Sequence, residues 1–180
     1  MDDQNKNNSQ VIFENQIFFS DTYGKISLRD VLYTINQFIN ANPKANYSIA
    51  IGSDSDLKNI NGSKSKYLHL VTALLIYRHG FGGKYFRNIE NLKNINSLKQ
   101  KIYAETMRSL NFALELKPIL KKYFNGNYSK LNLEIHVDVG ENGRTKEMVS
   151  EIVGMIKGNG FNVKTKPDAY VASKVADRHT

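Results

Sequence analysis

Four acidic residues stand where a chain can use them for chemistry. Asp54 follows the short, apolar and partly β-branched run Ser48-Ile49-Ala50-Ile51-Gly52, and Asp138 follows residues 131–137, where apolar and polar side chains alternate. Both read as acids at the C-terminal ends of strands. In open α/β sheets such strand ends, beside a topological switch point, form the crevice where ligands bind, so two carboxylates delivered there should meet. The plainer role of each is to begin a turn or cap a loop. Glu105 arises differently: Leu98, Ile102, Glu105, Ser109, Phe112 and Leu116 recur at helical spacing, which places a carboxylate in an apolar stripe. A charge there needs a salt bridge, protonation or a metal, unless the stripe is rotated and Glu105 reaches solvent beside Arg108. Asp177, in Val175-Ala176-Asp177, is the fourth candidate, with Asp168 as the competing choice. Cysteine is absent, so disulfides, thiol nucleophiles, iron–sulfur clusters and thiolate zinc sites are excluded. Four converging carboxylates would make an oxygen-only site suited to Mg²⁺ or Mn²⁺.

Cationic residues supply the complementary chemistry. Arg144 and Lys146 flank the Gly-containing entrance to a helix, where free backbone N–H groups and the positive helix end favour phosphate, although solvated surface charge is the alternative. His136 shares a parity with Asp138 and either faces the site or is a satisfied structural histidine. The whole chain carries 25 Lys and Arg against 17 Asp and Glu, a net charge of +8 with a pI near 9.5. A field of that sign concentrates polyanions, so nucleic acid is the expected partner class. No apolar run approaches the roughly 18 residues of a membrane span, and no membrane association is expected. The polar start, with two aspartates in residues 1–8, is wrong for a secretory or transit signal, so the expected location is cytoplasmic.

The elements that must position these groups follow from periodicity. At 180 residues one domain is expected: residues 1–10 disordered, 11–44 an N-terminal extension with a helix, and 45–180 the main domain. Ser27 and Asp30 resemble a capping signal for a helix over 27–41 that Asn42-Pro43 stops. The strand at 48–52 leads through Asn61-Gly62 into 67–77, and His79-Gly80-Phe81-Gly82-Gly83 turns the chain into a third strand, an antiparallel meander. Ser97, with Gln100 three residues on, begins a helical stretch to about Phe124 that should kink or break near Pro118. Strand 131–137, a helix over 145–157 stopped by Gly158-Asn159-Gly160, a strand at 161–165 and a weakly helical tail complete the chain. Three antiparallel strands followed by alternating helices and strands predict an α/β fold, a mixed five-stranded sheet with helices on both faces.

That order, with its acids, resembles the ribonuclease H-like fold, in which acids lie on the first strand, the first core helix, the fourth strand and the last helix. Here these positions are Asp54, Glu105, Asp138 and Asp177, and Ser173-Lys174-Val175-Ala176-Asp177 is similar to the Asn-x-x-Ala-Asp segment of many ribonucleases H. Ile51-Gly52-Ser53-Asp54-Ser55, His136-Val137-Asp138-Val139-Gly140 with Asn142-Gly143, and Ile152-Val153-Gly154-Met155 through Lys166-Pro167-Asp168 look like the bacterial YkuK family, itself regarded as ribonuclease H-like. The resemblance spans about residues 45–180. It implies a nuclease acting on RNA, DNA or a hybrid with two Mg²⁺ or Mn²⁺ ions about 3.5–4 Å apart. Asp54 would bridge both ions, Glu105 and Asp138 would complete one coordination sphere, Asp177 the other, and Arg144 and Lys146 would contact nucleic acid. Ribonucleases H usually carry a histidine shortly before the last acid, yet residues 160–176 contain none and His179 follows Asp177 instead. The alternative is therefore a nucleic-acid-binding or scaffold module without turnover. Asp54-Ser55-Asp56 also resembles the start of a haloacid-dehalogenase-like phosphatase, but the antiparallel hairpins at 57–90 argue against that fold.

Overall fold

A computed structural model describes residues 13, 15–59, 66–93, 95, 97–125, 128, 131–142 and 145–180. Ile17–Ser20 (β1) and Gly24–Ser27 (β2) form an antiparallel hairpin, with Gly24 at φ 69°, a conformation that suits a residue lacking Cβ. Ser27 then caps Leu28–Asn40 (α1): its hydroxyl accepts from the Asp30 N–H while the Asp30 carboxylate accepts from the Ser27 N–H, a reciprocal capping box. Tyr47–Asn59 (β3), Lys66–Arg78 (β4) and Gly82–Leu92 (β5) make the meander. Leu98–Phe124 (α2) crosses the sheet and returns the chain to Leu131–His136 (β6). Val149–Gly158 (α3) and Asn162–Lys164 (β7) follow, and a C-terminal segment forms a π-helical turn, Val171–Ala176, and a 3-10 turn, Asp177–His179.

The strand order is β2-β1-β5-β4-β3-β6-β7. β3 is the pivot, antiparallel to β4 on one side and parallel to β6 on the other. Among the described residues the sheet has seven strands where five were expected, because the N-terminal hairpin adds β1 and β2 beyond β5. Phe18 of that hairpin is fully buried and meets the edge of Phe112 on α2, so the added strands share the main core. Of the kink or break expected at Pro118, the break is not found: α2 continues through it to Phe124, and Ile119, Leu120 and Phe124 beyond the proline remain buried. Burial of that last turn outweighs the one backbone hydrogen bond that proline cannot donate.

The faces of the sheet differ in thickness. Ile49 and Ile51 of β3, Leu74 and Ile76 of β4 and Ile135 of β6 point to the large core shared with α1, α2 and α3. Ala50, Ala73 and Leu75, alternating with them, point to the opposite side and meet Val171 and Ala176 of the C-terminal segment. Small residues let that segment lie close. A Cβ on Gly52 would stand 2.6 Å from the backbone nitrogen of Ala172. The same segment is fixed by a buried polar group: His136 Nδ1 accepts the Val171 N–H at 3.2 Å, leaving Nε2 to donate to Glu134 at 3.0 Å, while Lys164 holds the same Glu134 oxygen at 2.9 Å. Burial works against the ionised Glu134, but the His136 and Lys164 hydrogen bonds prevail and hold its carboxyl below the usual range.

Gly52→Ala should therefore push the C-terminal segment away from β3 and lower stability by about 1–3 kcal/mol, the scale of overpacking a tight interior. A lower urea midpoint together with faster amide exchange at Val171 is the expected outcome, and wild-type values for both would show that the contact yields without cost.

Candidate acidic site

Asp54 lies inside β3, opposite Val71, and not at the strand's end as the sequence reading had it. β3 continues to Asn59 because its hairpin with β4 keeps pairing, but β6 stops at His136, opposite Gly52. From Ser53 onward β3 has lost its parallel neighbour, and the crevice expected at a switch point opens beside Asp54. Asp138, two residues past the end of β6, stands on the other lip.

Glu105 enters from α2. It is 7% exposed, so the helical stripe is not rotated toward solvent, although Leu98, placed in the same stripe, is 37% exposed. Arg108 turns instead to Asn88 and Glu90 of β5. Ser55, next to Asp54 but on the α2 side of the strand, donates to Glu105 Oε1 at 2.6 Å. Deeper in the seam Ser109 donates to Ser53 at 2.8 Å, and Ser53 meets Thr72 at 2.9 Å. Glu105 and Asp138 both line a cavity of about 10 Å³, room for roughly one water, together with Ser53, Thr106 and Ser109.

Two lysines hold these acids. Lys101 Nζ lies 3.5 Å from Glu105 Oε1 and 4.0 Å from Asp54 Oδ1. Lys166 Nζ lies 2.9 Å from Asp138 Oδ2, while Asp138 Oδ1 is buried with no hydrogen-bond partner among the described residues. Gly140 leaves room for the Lys166 stem, which passes 3.0 Å from where a Cβ would be. Asp177 is exposed at the start of the 3-10 turn, near enough for its charge to act on Asp54, and Thr180 Oγ1 donates to Asp54 Oδ2 at 3.4 Å. Asp168 is exposed elsewhere, beside Lys164, so of the two candidates Asp177 is the one brought toward Asp54.

The charges are poorly compensated. Burial pushes Glu105 up to about 7; Ser55 and Lys101 oppose the shift, and the charges of Asp54 and Asp138 add to it. Asp54 is raised for the same first reason, burial, with Lys101 and the Ser55 N–H opposing and Asp177 and Asp138 adding. Among the described residues, as the side chains stand, no group of three His, Asp or Glu is placed to hold one metal ion.

His136 is the satisfied structural histidine described above. His179 meets Tyr85 and Arg87, whose partner is Asp21 in the β1–β2 turn. Lys146 is exposed on the short 3-10 turn Lys146–Met148, and Arg144 lies outside the described residues. Sequence reasoning missed Ser55, Lys101 and Lys166. The Lys101–Glu105 spacing of four was legible, but on a helix that spacing ordinarily marks a surface pair.

Residues 30–180 match the family described as Ribonuclease H-like. The chain is also 30% identical over 173 residues to the protein called "Uncharacterized protein YkuK" of Bacillus subtilis (strain 168), an alignment covering 91% of this chain and 96% of that protein. The chain belongs to the ribonuclease H-like superfamily and, within it, to the YkuK family. No solved structure matches it.

Glu105 makes stability depend on pH. Its folded-state value, about 7, lies above its ordinary 4.5, so the group favours folding below 4.5 and that contribution is lost as pH rises through about 7. Glu105→Gln keeps an acceptor for Ser55 and removes the dependence. In chelator the variant should match the wild type near about pH 5 and exceed it near about pH 8 by on the order of 2 kcal/mol. Urea midpoints at both pH values measure this, and parallel curves would show that Glu105 is not strained by its burial.

Proposed function

We propose that this protein is a divalent-metal-dependent nuclease that hydrolyses phosphodiester bonds of RNA, DNA or a hybrid. The observation that supports the reading lies at the opening between β3 and β6 in a ribonuclease H-like chain: Lys101 reaches both Asp54 and Glu105, and the charges of Asp138 and Asp177 act on Asp54. The chemistry of this donor set fits Mg²⁺ or Mn²⁺: the ligands are all oxygen, Asp138 Oδ1 is buried and unpartnered among the described residues, and the charges on Asp54 and Glu105 already draw in the ammonium of Lys101. Asp54, Glu105, Asp138 and Asp177 would hold the ions. When bound, such ions lower the pKa of an attacking water and neutralise charge on the leaving oxygen. The chain's own contribution is placement. β3 fixes Asp54, Ser55 orients Glu105, the Gly52 contact sets how near Asp177 comes, and Lys166 steadies Asp138. Lys146 and the net charge of +8 would serve phosphate, with Arg144 as a further candidate for contact.

A second reading has an observation of its own. No three acids or histidines among the described residues stand within reach of one ion, which favours a nucleic-acid-binding module without turnover.

Asp54→Asn separates the two. It preserves shape, removes one charge and takes away the ligand assigned to both ions. Metal-dependent cleavage of labelled RNA, DNA and hybrid strands should fall by about a hundredfold or more, the scale of losing one stabilising group at a reacting centre. Binding should persist and weaken as salt rises, because it rests on phosphate contacts. Salt-sensitive binding with no metal-dependent cleavage by the wild type on any strand would establish the binding module instead.

A further inference from the structure

We infer that Lys101 is a resident counter-cation of the acidic site, holding Asp54 and Glu105 together without metal and competing directly with a divalent ion for them. The inference rests on the proposed metal site and names what controls its occupancy. Geometry supplies the first argument. One ammonium reaches a carboxylate oxygen on the sheet and another on the helix, at 4.0 and 3.5 Å, so it lies between the two groups assigned as ligands. A divalent ion drawing both carboxylates to about 2.0–2.6 Å could not share that space with the ammonium.

The second argument is electrostatic. Four acids stand around the crevice against two ammonium groups, Lys101 between Asp54 and Glu105 and Lys166 on Asp138, so the cluster is short of positive charge. The site is held, but undersatisfied. Asp138 Oδ1, buried with no donor among the described residues, shows the same deficit at the opposite lip.

The third argument is the exit. The Lys101 side chain is 31% exposed, against 9% for Glu105, and its four-carbon stem starts one turn before Glu105 on α2. It can swing to solvent without moving the helix. Among the described residues no group of three His, Asp or Glu is placed to hold one ion as the side chains stand, and in the state inferred here Asp54 and Glu105 are held around the ammonium.

Mn²⁺ itself is the probe, titrated calorimetrically into the full chain and followed separately by thermal unfolding in chelator and in Mn²⁺. Lys101→Met should bind Mn²⁺ about tenfold more tightly than the wild type, equivalent to about 1.4 kcal/mol, and should unfold at a lower temperature in chelator. Lys101→Arg, which keeps the charge, should bind as weakly as the wild type. Lys99→Met makes the same change in net charge at a lysine that lies over the Tyr103 ring, and should leave the affinity unchanged. Lys101→Gln is a second neutral variant and should repeat the Met result. Equal affinity in wild type and Lys101→Met, or equal tightening in Lys99→Met, would overturn the inference. The nuclease reading fails separately: tighter Mn²⁺ binding by Lys101→Met with no cleavage by any variant keeps the counter-cation and removes the enzyme. Equal affinities with cleavage intact do the reverse, and no Mn²⁺ binding to any variant overturns both.

Discussion

Gly52 has no side chain, and the Ala172 nitrogen lies where its Cβ would point. That approach of backbone to backbone brings the C-terminal segment onto β3 two residues before Asp54. Every other feature of the site follows from the same stretch of strand. β6 leaves β3 opposite Gly52, so the sheet opens there; Ser53 and Ser55 turn toward α2 and give its polar face something to bond; Asp54 turns the other way, toward Thr180 and Asp177. One strand thus presents alternate residues to two layers, and the acids from those layers meet only because both layers reach the same opening.

Two buried carboxylates show what the fold does with charge. Glu134 is surrounded by donors: His136, Lys164 and, at 3.3 Å, the Asn132 side-chain amide. Its ionised form is the favoured one despite burial, and the group acts as a structural pin for the start of the C-terminal segment. Glu105, about as buried, receives one hydroxyl and shares one ammonium with Asp54, and its proton is held more tightly than in water. Identical chemistry is satisfied in one place and left wanting in the other. Carboxylates whose ionisation is opposed by burial and by one another, at the edge of a crevice, are a common arrangement at functional sites and occur in structural charge networks as well.

The broad fold was legible because the strongest signals were long: the β-branched runs of β3 and β4, the apolar stripe of α2 and the Gly158-Asn159-Gly160 stop after α3. Three features escaped. β1 and β2 have four residues each, and a hairpin of that size is stabilised by Phe18 docking on Phe112, not by local propensity. Asp54 read as a strand end because serines and aspartates are poor strand formers, while the long hairpin with β4 overrides that preference. Proline at 118 carried an expectation of a kink or break, of which core burial overcame the break. At the site the acids announced themselves through their positions, but the lysines that neutralise them did not. A cation's role depends on which carboxylates it can reach in space, and for Lys166 and Asp138 that pairing crosses 28 positions of sequence.

The outermost strands have a consequence for how copies of this protein meet one another. Among the described residues the sheet ends on β2, four residues carrying an exposed Lys25, and on β7, three residues that finish at Lys164. Unpaired backbone at the margin of a sheet is a template on which another chain can add a strand, and a long, flat, apolar margin invites aggregation. These margins are too short to offer more than a few hydrogen bonds, and on β2 the exposed Lys25 adds a charge that would face its own counterpart in a symmetric pairing. The long, apolar strands that could propagate a ribbon, β3 and β4, lie in the interior of the sheet, where both of their edges are already paired.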